Sequence, residues 1–445
     1  MRTMFIPLFL VFAVFSACTS TGPACTEGDE SCNNNGKSSS DGSNNGESSG
    51  SDGGKVDNQS HLSLPSSPNG SAVDALYNTW KTTYFRTVEA EIASKEVDAD
   101  IIQYQFIGNE GLARIRFDAS SDNSCKPEGI CTVSEGIGYG MVIALFQDDR
   151  DAFERLWKYS RASSYASSTH LINWKFWSFK KGSIGTGSAT DADLDIATAL
   201  FLGYKRWGDE QMLNDAKNIA SEIWSYEIEK STNLIIPGDV GWSGRDCYNP
   251  SYFSPVALRI FKEINSENNW DAVLNASYAW LEKISTNGNL VPDWVNAAGE
   301  PKKPYTGVAE QTYNRYYLES VRVPWRLAWD YAWYGEPRAK TILDRFARFV
   351  IEDSGGDPMK IRQDYRYKEQ SLMGSNIRNT MAQKASLCAA GLANPEFKWW
   401  LDDCLPIVNN TPFSETSSNG FNYFHHILQV IYAQIINGKY EGRPF

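Results

Sequence analysis

Clusters of cysteine and histidine with the spacing of a zinc site are missing from this chain. It has only four histidines, scattered apart from His425-His426, and none of its eight cysteines forms a Cys-x-x-Cys pair. Zinc sites in proteins are usually built from such neighbouring ligands. The sequence therefore predicts no metal site, and we expect no cofactor.

The chain also has fewer basic than acidic residues, and its apolar runs are short. Lys and Arg number 42 against 54 Asp and Glu, which gives a net charge of −12. Binding to nucleic acid needs clustered positive charge, so a nucleic-acid partner is excluded. A polyanionic substrate is disfavoured for the same reason. The apolar run from Phe5 to Phe15 is too short to span a bilayer as a helix.

The N-terminus has the pattern of an export signal. Arg2 precedes the apolar run, which ends in Ser16-Ala17-Cys18. We predict a signal peptide over residues 1–17 in a bacterial protein. Small residues before a cysteine are similar to a lipobox, which favours a lipid anchor at Cys18 on the outer membrane or cell surface. The alternative is cleavage after Ala17, which gives a secreted protein.

The next segment is polar. Residues 18–70 are rich in Ser, Gly, Asn and Asp, which predicts a flexible linker ahead of one domain at residues 71–445. We expect a monomer that contacts a membrane only through the anchor. Export also suits disulfides. The plausible pairs are Cys25–Cys32, Cys125–Cys131 and Cys388–Cys404, with Cys247 left over.

Residues 71–445 have helical periodicity. Val73, Leu76, Tyr77 and Trp80 recur at the spacing of one helix face. Similar patterns follow along the domain, with loops rich in Gly, Pro and aromatic residues, and no strand-like alternation persists. The pattern predicts an all-α domain, a helical toroid whose loops at one rim form the site.

The most informative stretch surrounds Glu135. Residues 134–141 read SEGIGYGM and lead into an apolar run. Ser134 is a good N-cap, which places Glu135 in the first turn of a helix. Glycines at alternate positions would clear side chains from around Glu135, so that a sugar ring can approach it. The alternative is a glutamate that only complements the helix dipole.

A second acidic cluster, at residues 189–197, reads ATDADLDIA. Asp191 and Asp195 share a helix face, whereas Asp193 suits a capping position. A calcium loop is excluded because Ile196 stands where glycine is required. Two carboxyls at helix starts, near many Trp and Tyr residues, suit cleavage of a glycosidic bond, which needs a general acid and a base that activates water.

These two stretches, with three others, resemble glycoside hydrolase family 8. The others read NPSYF at 249–253, LVPDW at 290–294 and RVPWR at 322–326, and all five stand in the order of the family. The resemblance implies an (α/α)6 barrel, inversion at the anomeric centre and a β-1,4-linked polymer as substrate. Cellulose or mixed-linkage β-glucan is the leading expectation, followed by xylan and chitosan.

The resemblance also assigns roles. It implies that Glu135 is the general acid and that Asp191 holds the sugar at the cleavage subsite. In many members the general base is an Asp three residues before the Arg of the RVP motif. Here that position is Glu319, whose side chain is one methylene longer. Because other branches take the base from a nearby loop, Glu310 is the alternative base.

Aromatic and basic residues near the predicted loops are candidates for substrate binding. Aromatic rings offer flat surfaces for sugars, and arginines can bind hydroxyls or orient a carboxylate. The candidates are Trp174, Trp177, Trp242, Tyr248, Trp294, Tyr317, Arg116 and Arg322.

Two other classes of function compete with a hydrolase. A non-catalytic carbohydrate-binding surface lipoprotein would share the aromatic content, but it has no reason to place a carboxyl at the Glu135 helix start. A polysaccharide lyase on a similar toroid would need basic residues in its groove, which the acidic composition disfavours.

Overall fold

The computed structural model describes residues 60–94, 111–117, 131–164, 169–177, 183–239, 246–305, 313–368, 380–416 and 422–443. The predicted signal peptide, Cys18 and the linker up to residue 59 lie outside them. Within these ranges no helix is both long and apolar enough to cross a bilayer.

The described residues form thirteen α-helices. In chain order they are α1 (Gly70–Tyr84), α2 (Val88–Ser94), α3 (Ser134–Phe146), α4 (Arg150–Ser164), α5 (Thr190–Trp207), α6 (Glu210–Tyr226), α7 (Pro255–Ile264), α8 (Trp270–Gly288), α9 (Val323–Tyr334), α10 (Pro337–Ser354), α11 (Met381–Ala389), α12 (Lys398–Asn410) and α13 (Asn422–Ile436).

Twelve of these helices form two concentric rings. The inner ring is α3, α5, α7, α9, α11 and α13, in which each helix packs on the next and α13 closes the circle on α3. An outer helix packs against each inner helix: α4 on α3, α6 on α5, α8 on α7, α10 on α9, α12 on α11 and α1 on α13, with α12 also contacting α13. The predicted all-α (α/α)6 barrel is confirmed.

The two rings follow from two kinds of sequence. Nearly every residue of α3 and α13 is buried. Both are predominantly apolar around most of their circumference, as is typical of a helix surrounded by protein, although α13 also buries His425, His426, Gln429 and Gln434. An outer helix such as α6 buries one stripe, at helical spacing, and leaves the other face polar. The tryptophans that the periodicity assigns to the core are buried: Trp80, Trp157, Trp325 and Trp329.

Short strands, which the sequence did not predict, connect the helices. One sheet pairs three antiparallel strands in the order β3 (Cys131–Val133), β4 (Asn173–Trp177) and β5 (Ser183–Ser188). β3 leads directly into α3, and β5 ends two residues before α5, so this sheet fixes the entry of both helices. The strands are β1 (Phe85–Thr87), β2 (Ala113–Ile115), β3 (Cys131–Val133), β4 (Asn173–Trp177), β5 (Ser183–Ser188), β6 (Ile228–Glu229), β7 (Leu234–Ile235), β8 (Arg315–Tyr316) and β9 (Tyr365–Arg366).

Residues 60–69, assigned to the linker, are tied to the barrel. The backbone N–H of Ser63 donates to Leu392 at 2.7 Å, and the Ser66 hydroxyl donates to Asp402 at 2.8 Å. The polar composition of this segment did not predict its contact with the barrel, because backbone groups make part of that contact.

Of the three predicted cysteine pairs, one lies wholly within the described residues. Cys388 and Cys404 form a disulfide that joins α11 to α12, which confirms that pair. Cys131 is disulfide-bonded, and its predicted partner Cys125 lies outside the described residues. Cys247 is buried, while the predicted pair Cys25–Cys32 falls outside the described residues.

The glycines after Glu135 serve packing, which corrects the expectation that they open space for a ligand. A Cβ at Gly136 would lie 2.8 Å from the Tyr423 hydroxyl, and one at Gly138 would lie 3.1 Å from Cβ of Asp195 on α5. The third glycine meets similar crowding against α4. Their absent side chains let the inner helices approach closely.

Candidate active site

The N-terminal ends of the inner helices meet at one rim of the barrel. There a cavity of about 640 Å³ opens between the loops. Its lining combines carboxyl groups, one arginine and aromatic rings. The residues are Phe117, Val133, Ser134, Glu135, Trp174, Ala189, Asp191, Tyr252, Tyr305, Glu319 and Arg322.

Arg322 binds all three predicted catalytic carboxyls. Its Nη1 donates to Glu135 at 2.9 Å and to Asp191 at 2.7 Å, and its Nη2 donates to Glu319. Arg322 is 1% exposed, and the central carbon of its guanidinium lies 5.3 Å from the centre of the Tyr252 ring. A planar cation with several fixed donors is suited to holding carboxylates in one geometry.

Glu135 lies in the first turn of α3, as predicted, although the helix begins at Ser134 itself rather than after it. Its side chain is 20% exposed, and Tyr423 donates a hydrogen bond to Oε1 at 3.1 Å. Burial raises the pKa of Glu135 to about 8; Arg322 opposes this shift and the nearby acidic groups add to it. At neutral pH the group therefore holds a proton that it can give away.

Asp191 is the second residue of α5 and is 2% exposed. Its Oδ2 accepts from Arg322, and its Oδ1 accepts from the backbone N–H of Ala192 at 2.9 Å. Both oxygens are thus held at the edge of the cavity, which fixes the direction of the carboxylate.

Glu319 lies just before the short 3-10 helix Ser320–Arg322 that leads into α9. Its side chain is 31% exposed. Oε2 accepts from Nδ2 of Asn249 at 2.8 Å and from Arg322. Among the described residues none donates to Oε1, so that oxygen is left to bind water or substrate. The alternative base, Glu310, lies outside the described residues.

The neighbouring acids have structural partners. Asp193 accepts from the backbone N–H of Ile172 at 3.0 Å, which ties α5 to the segment before β4 and corrects its predicted capping role. Asp195 forms a buried ion pair with Arg326. A cluster of possible metal-ligating side chains is not found within the described ranges.

Trp174 is the predicted aromatic platform that reaches the cavity. It is 40% exposed and lies on β4 across from β5. Gly185 of β5 makes room for it, because a Cβ there would lie 2.0 Å from the indole nitrogen. The side chain of Trp177 and all of Trp242 lie outside the described residues.

Four other predicted contacts do not line the cavity. Tyr248 and Trp294 are 3% and 6% exposed; Tyr248 packs edge-on against Trp280, and Trp294 packs edge-on against Tyr252, which lines the cavity. Arg116 and Tyr317 are half-buried and are not among the lining residues. The backbone N–H of Arg116 donates to the carbonyl of Tyr84, and that of Tyr317 donates to the carboxylate of Asp293.

Sequence reasoning missed several groups that touch the site. Tyr305 is 50% exposed and lines the cavity together with Phe117. Asn249 and Tyr252 stand in the quoted NPSYF motif, which could have drawn attention to them. Tyr423 carries no comparable local signal, since it reaches Glu135 from a helix 288 residues further along the chain.

Residues 75–387 match the family described as Glycosyl hydrolases family 8. The chain belongs to this family. It is therefore a glycoside hydrolase, and the competing interpretations as a binder or a lyase are set aside. Endoglucanase 2 of Ruminiclostridium josui is 35% identical over 75% of this chain and 68% of that protein. Endoglucanase C of Ruminiclostridium cellulolyticum is 29% identical over the same shares.

Solved structures of this glycoside hydrolase fold are similar to the barrel. The apo structure of a β-1,3-1,4-glucanase from Paenibacillus sp. X4 matches with a TM-score of 0.69 and 22% identity, covering 87% of this chain and 98% of that one. A reducing-end-xylose releasing exo-oligoxylanase matches with a TM-score of 0.61 and 19% identity, covering 84% of this chain and 94% of that one. At these identities the likeness concerns the fold alone.

Proposed function

We propose that this glycoside hydrolase cleaves β-1,4 bonds in cellulose or mixed-linkage β-glucan with inversion, using Glu135 as general acid and Glu319 as general base. The observation that carries the proposal is the contact of one guanidinium, that of Arg322, with both carboxyls at the cavity. An inverting enzyme needs two carboxyl groups with opposite protonation on either side of the scissile bond.

The reaction takes a single step. The Glu135 proton passes to the glycosidic oxygen as the bond from that oxygen to C1 breaks. A water held by Oε1 of Glu319 attacks C1 from the opposite face and gives its proton to Glu319. Arg322 contacts both carboxyls and holds them in fixed positions relative to each other.

Asp191 acts on the substrate in this scheme. Its carboxylate is buried, is fixed by Arg322 and Ala192 and borders the cavity between the acid and base. A carboxylate held in this way can accept hydrogen bonds from sugar hydroxyls at the cleavage subsite. That positions the ring while leaving Glu135 and Glu319 to transfer protons.

The lining of the cavity suits a neutral polysaccharide. Trp174 and Tyr305 present exposed rings, and Phe117 adds a third aromatic surface. Endoglucanases among the relatives make glucan the first candidate. Xylan is the second candidate, because an exo-oligoxylanase from Bifidobacterium adolescentis is 24% identical over 76% of this chain. Chitosan stays third.

Release of reducing sugar from carboxymethylcellulose, lichenan, xylan and chitosan tests the substrate. We expect lichenan or carboxymethylcellulose to be cleaved fastest, and Glu135→Gln to lose about 10²–10⁴-fold in kcat while still binding cello-oligosaccharides. Faster cleavage of xylan or chitosan would reject the glucan assignment. Turnover by Glu135→Gln at the wild-type rate would reject the general acid.

Export and anchoring form a separate part of the proposal. The sequence of residues 1–18 supports export of a bacterial enzyme, with a lipid on Cys18 and the polar linker that follows it as a spacer. Intact-mass measurement of the mature protein tests this, since lipidation adds acyl mass to a chain that begins at Cys18. A mature chain without acyl mass would mean simple secretion.

A further inference from the structure

Asp293 stands directly behind the segment that carries Glu319. It is 4% exposed and is not among the described residues that line the cavity. Its Oδ1 accepts from the backbone N–H of Tyr317 at 3.0 Å, from that of Ser320 at 2.9 Å and from the Ser320 hydroxyl at 2.9 Å. These donors flank Glu319, so one oxygen ties both ends of the turn 317–320.

The position of Asp293 is itself fixed by the backbone. Its N–H donates to the carbonyl of Arg315 on β8 at 2.8 Å, and the N–H of Trp294 donates to Tyr313 at 3.1 Å. Ser320, which Asp293 holds, begins the 3-10 helix that ends at Arg322. The same carboxyl therefore anchors the start of the segment that carries both Glu319 and Arg322.

We propose that Asp293 is a positioning residue: it holds the turn 317–320 so that Glu319 presents Oε1 to water while Oε2 stays bound to Asn249 and Arg322. This inference rests on the proposed role of Glu319 as the base. A misplacement of about 1 Å in a catalytic group can cost about 10²-fold in rate. Because Asp293 does not border the cavity, its loss acts on kcat rather than on KM.

A direct role in proton transfer is the rival explanation. Burial, with the charge of Glu319, raises the pKa of Asp293 to about 7 despite its hydrogen bonds from Ser320. Asp293→Asn separates the two roles, because the amide keeps an acceptor oxygen but cannot take a proton.

The experiment compares steady-state kinetics of Asp293→Ala, Asp293→Asn and Glu319→Ala on the preferred glucan. We expect Asp293→Ala to lose about 10–100-fold in kcat with KM within about twofold. Asp293→Asn should remain within about threefold of wild type. Asp215→Ala is the control: Asp215 is a buried aspartate on α6 that binds Trp157, and its loss should lower thermal stability without changing kcat.

The rate in the presence of sodium azide distinguishes a residue that positions the base from one that only stabilises the fold. Azide attacks C1 without losing a proton, so the C1–nitrogen bond forms as the glycosidic bond breaks and Glu135 protonates the leaving oxygen. We expect azide to accelerate Asp293→Ala and Glu319→Ala and to yield an α-glycosyl azide, and to leave the rate of Asp215→Ala unchanged.

Wild-type kcat in Asp293→Ala, or equal inactivity of the Ala and Asn variants, would overturn the positioning role. If Asp293→Ala does not fold, Ser320→Ala removes one of the three bonds and should lower kcat about fivefold; no change would overturn the inference. Wild-type kcat in Glu319→Ala would instead show that Glu319 is not the base. That result would contradict the proposed function, and it does not depend on the Asp293 variants.

Discussion

Nη1 of Arg322 lies 2.9 Å from Oε2 of Glu135, a contact between residues 187 positions apart in the chain. The same nitrogen binds Asp191, and the other terminal nitrogen binds Glu319. One buried cation therefore sets the relative positions of three acidic groups. Without it, those carboxyls would repel one another across the cavity.

We predict that Arg322→Lys abolishes this arrangement. A lysine ammonium is a single point charge and cannot place two nitrogens against three carboxyls. The expected result is a loss of about 10²-fold or more in kcat and a lower free energy of unfolding, by about 3–5 kcal/mol if the carboxyls are left unpaired. Arg348→Lys, an exposed pair with Glu396, is the matched control and should match wild type. Unchanged kcat in Arg322→Lys would contradict the prediction.

The pH dependence follows from Glu135. Its pKa is raised from 4.5 to about 8, so the protonated form that can act as an acid predominates below that value. We expect kcat/KM to fall as the pH rises through about 8. The free energy of unfolding should also decline between these values, since the folded protein there keeps a proton that the unfolded chain releases. Glu135→Gln should show a smaller decline than wild type, because it loses the contribution of Glu135 while Asp293, whose pKa is also raised, keeps its own; a basic limb of kcat/KM well below neutral pH would contradict the assignment.

Tyr423 should influence the pH at which kcat/KM falls. Its hydrogen bond to Glu135 favours the charged carboxylate and so lowers the pKa. Tyr423→Phe removes the bond and should move the basic limb of kcat/KM to higher pH. Gly136→Ala should act in the same direction, because its Cβ would lie 2.8 Å from the Tyr423 hydroxyl. A shift to lower pH in Tyr423→Phe would show that the bond acts otherwise.

Gly185 should affect substrate binding, because it makes room for the ring of Trp174. A Cβ at residue 185 would lie 2.0 Å from the indole nitrogen, so Gly185→Ala must displace the ring. We expect KM for a long glucan to rise about tenfold with little change in kcat, as in Trp174→Ala, because the ring contributes binding rather than chemistry. The double variant should be no worse than either single one. Gly70→Ala, where no atom lies within 4 Å of the new Cβ, is the control.

The sequence predicted the features that short motifs encode. Helix starts place Glu135 and Asp191, and the RVPWR motif places Glu319 and Arg322, so this group could be named without coordinates. The helical period predicted an all-α toroid, and the resemblance to the family supplied the (α/α)6 barrel.

Features set by distant packing could not be predicted in this way. Tyr248 and Trp294 stand in loops, and only their contacts with Trp280 and Tyr252 decide that they are buried. Tyr423 reaches Glu135 from the last helix without a motif of its own. Strands of two to six residues are too short for alternation to be detected.

The anomeric form of the first product tests the Glu135–Glu319 pair most directly. Proton NMR during the first turnovers on a soluble β-1,4-glucan, before mutarotation, distinguishes the two forms. An acid and a base acting on opposite faces of the sugar invert C1 and release the α-anomer first. Initial release of the β-anomer would mean that a carboxylate attacks the sugar itself, and it would contradict the assigned roles.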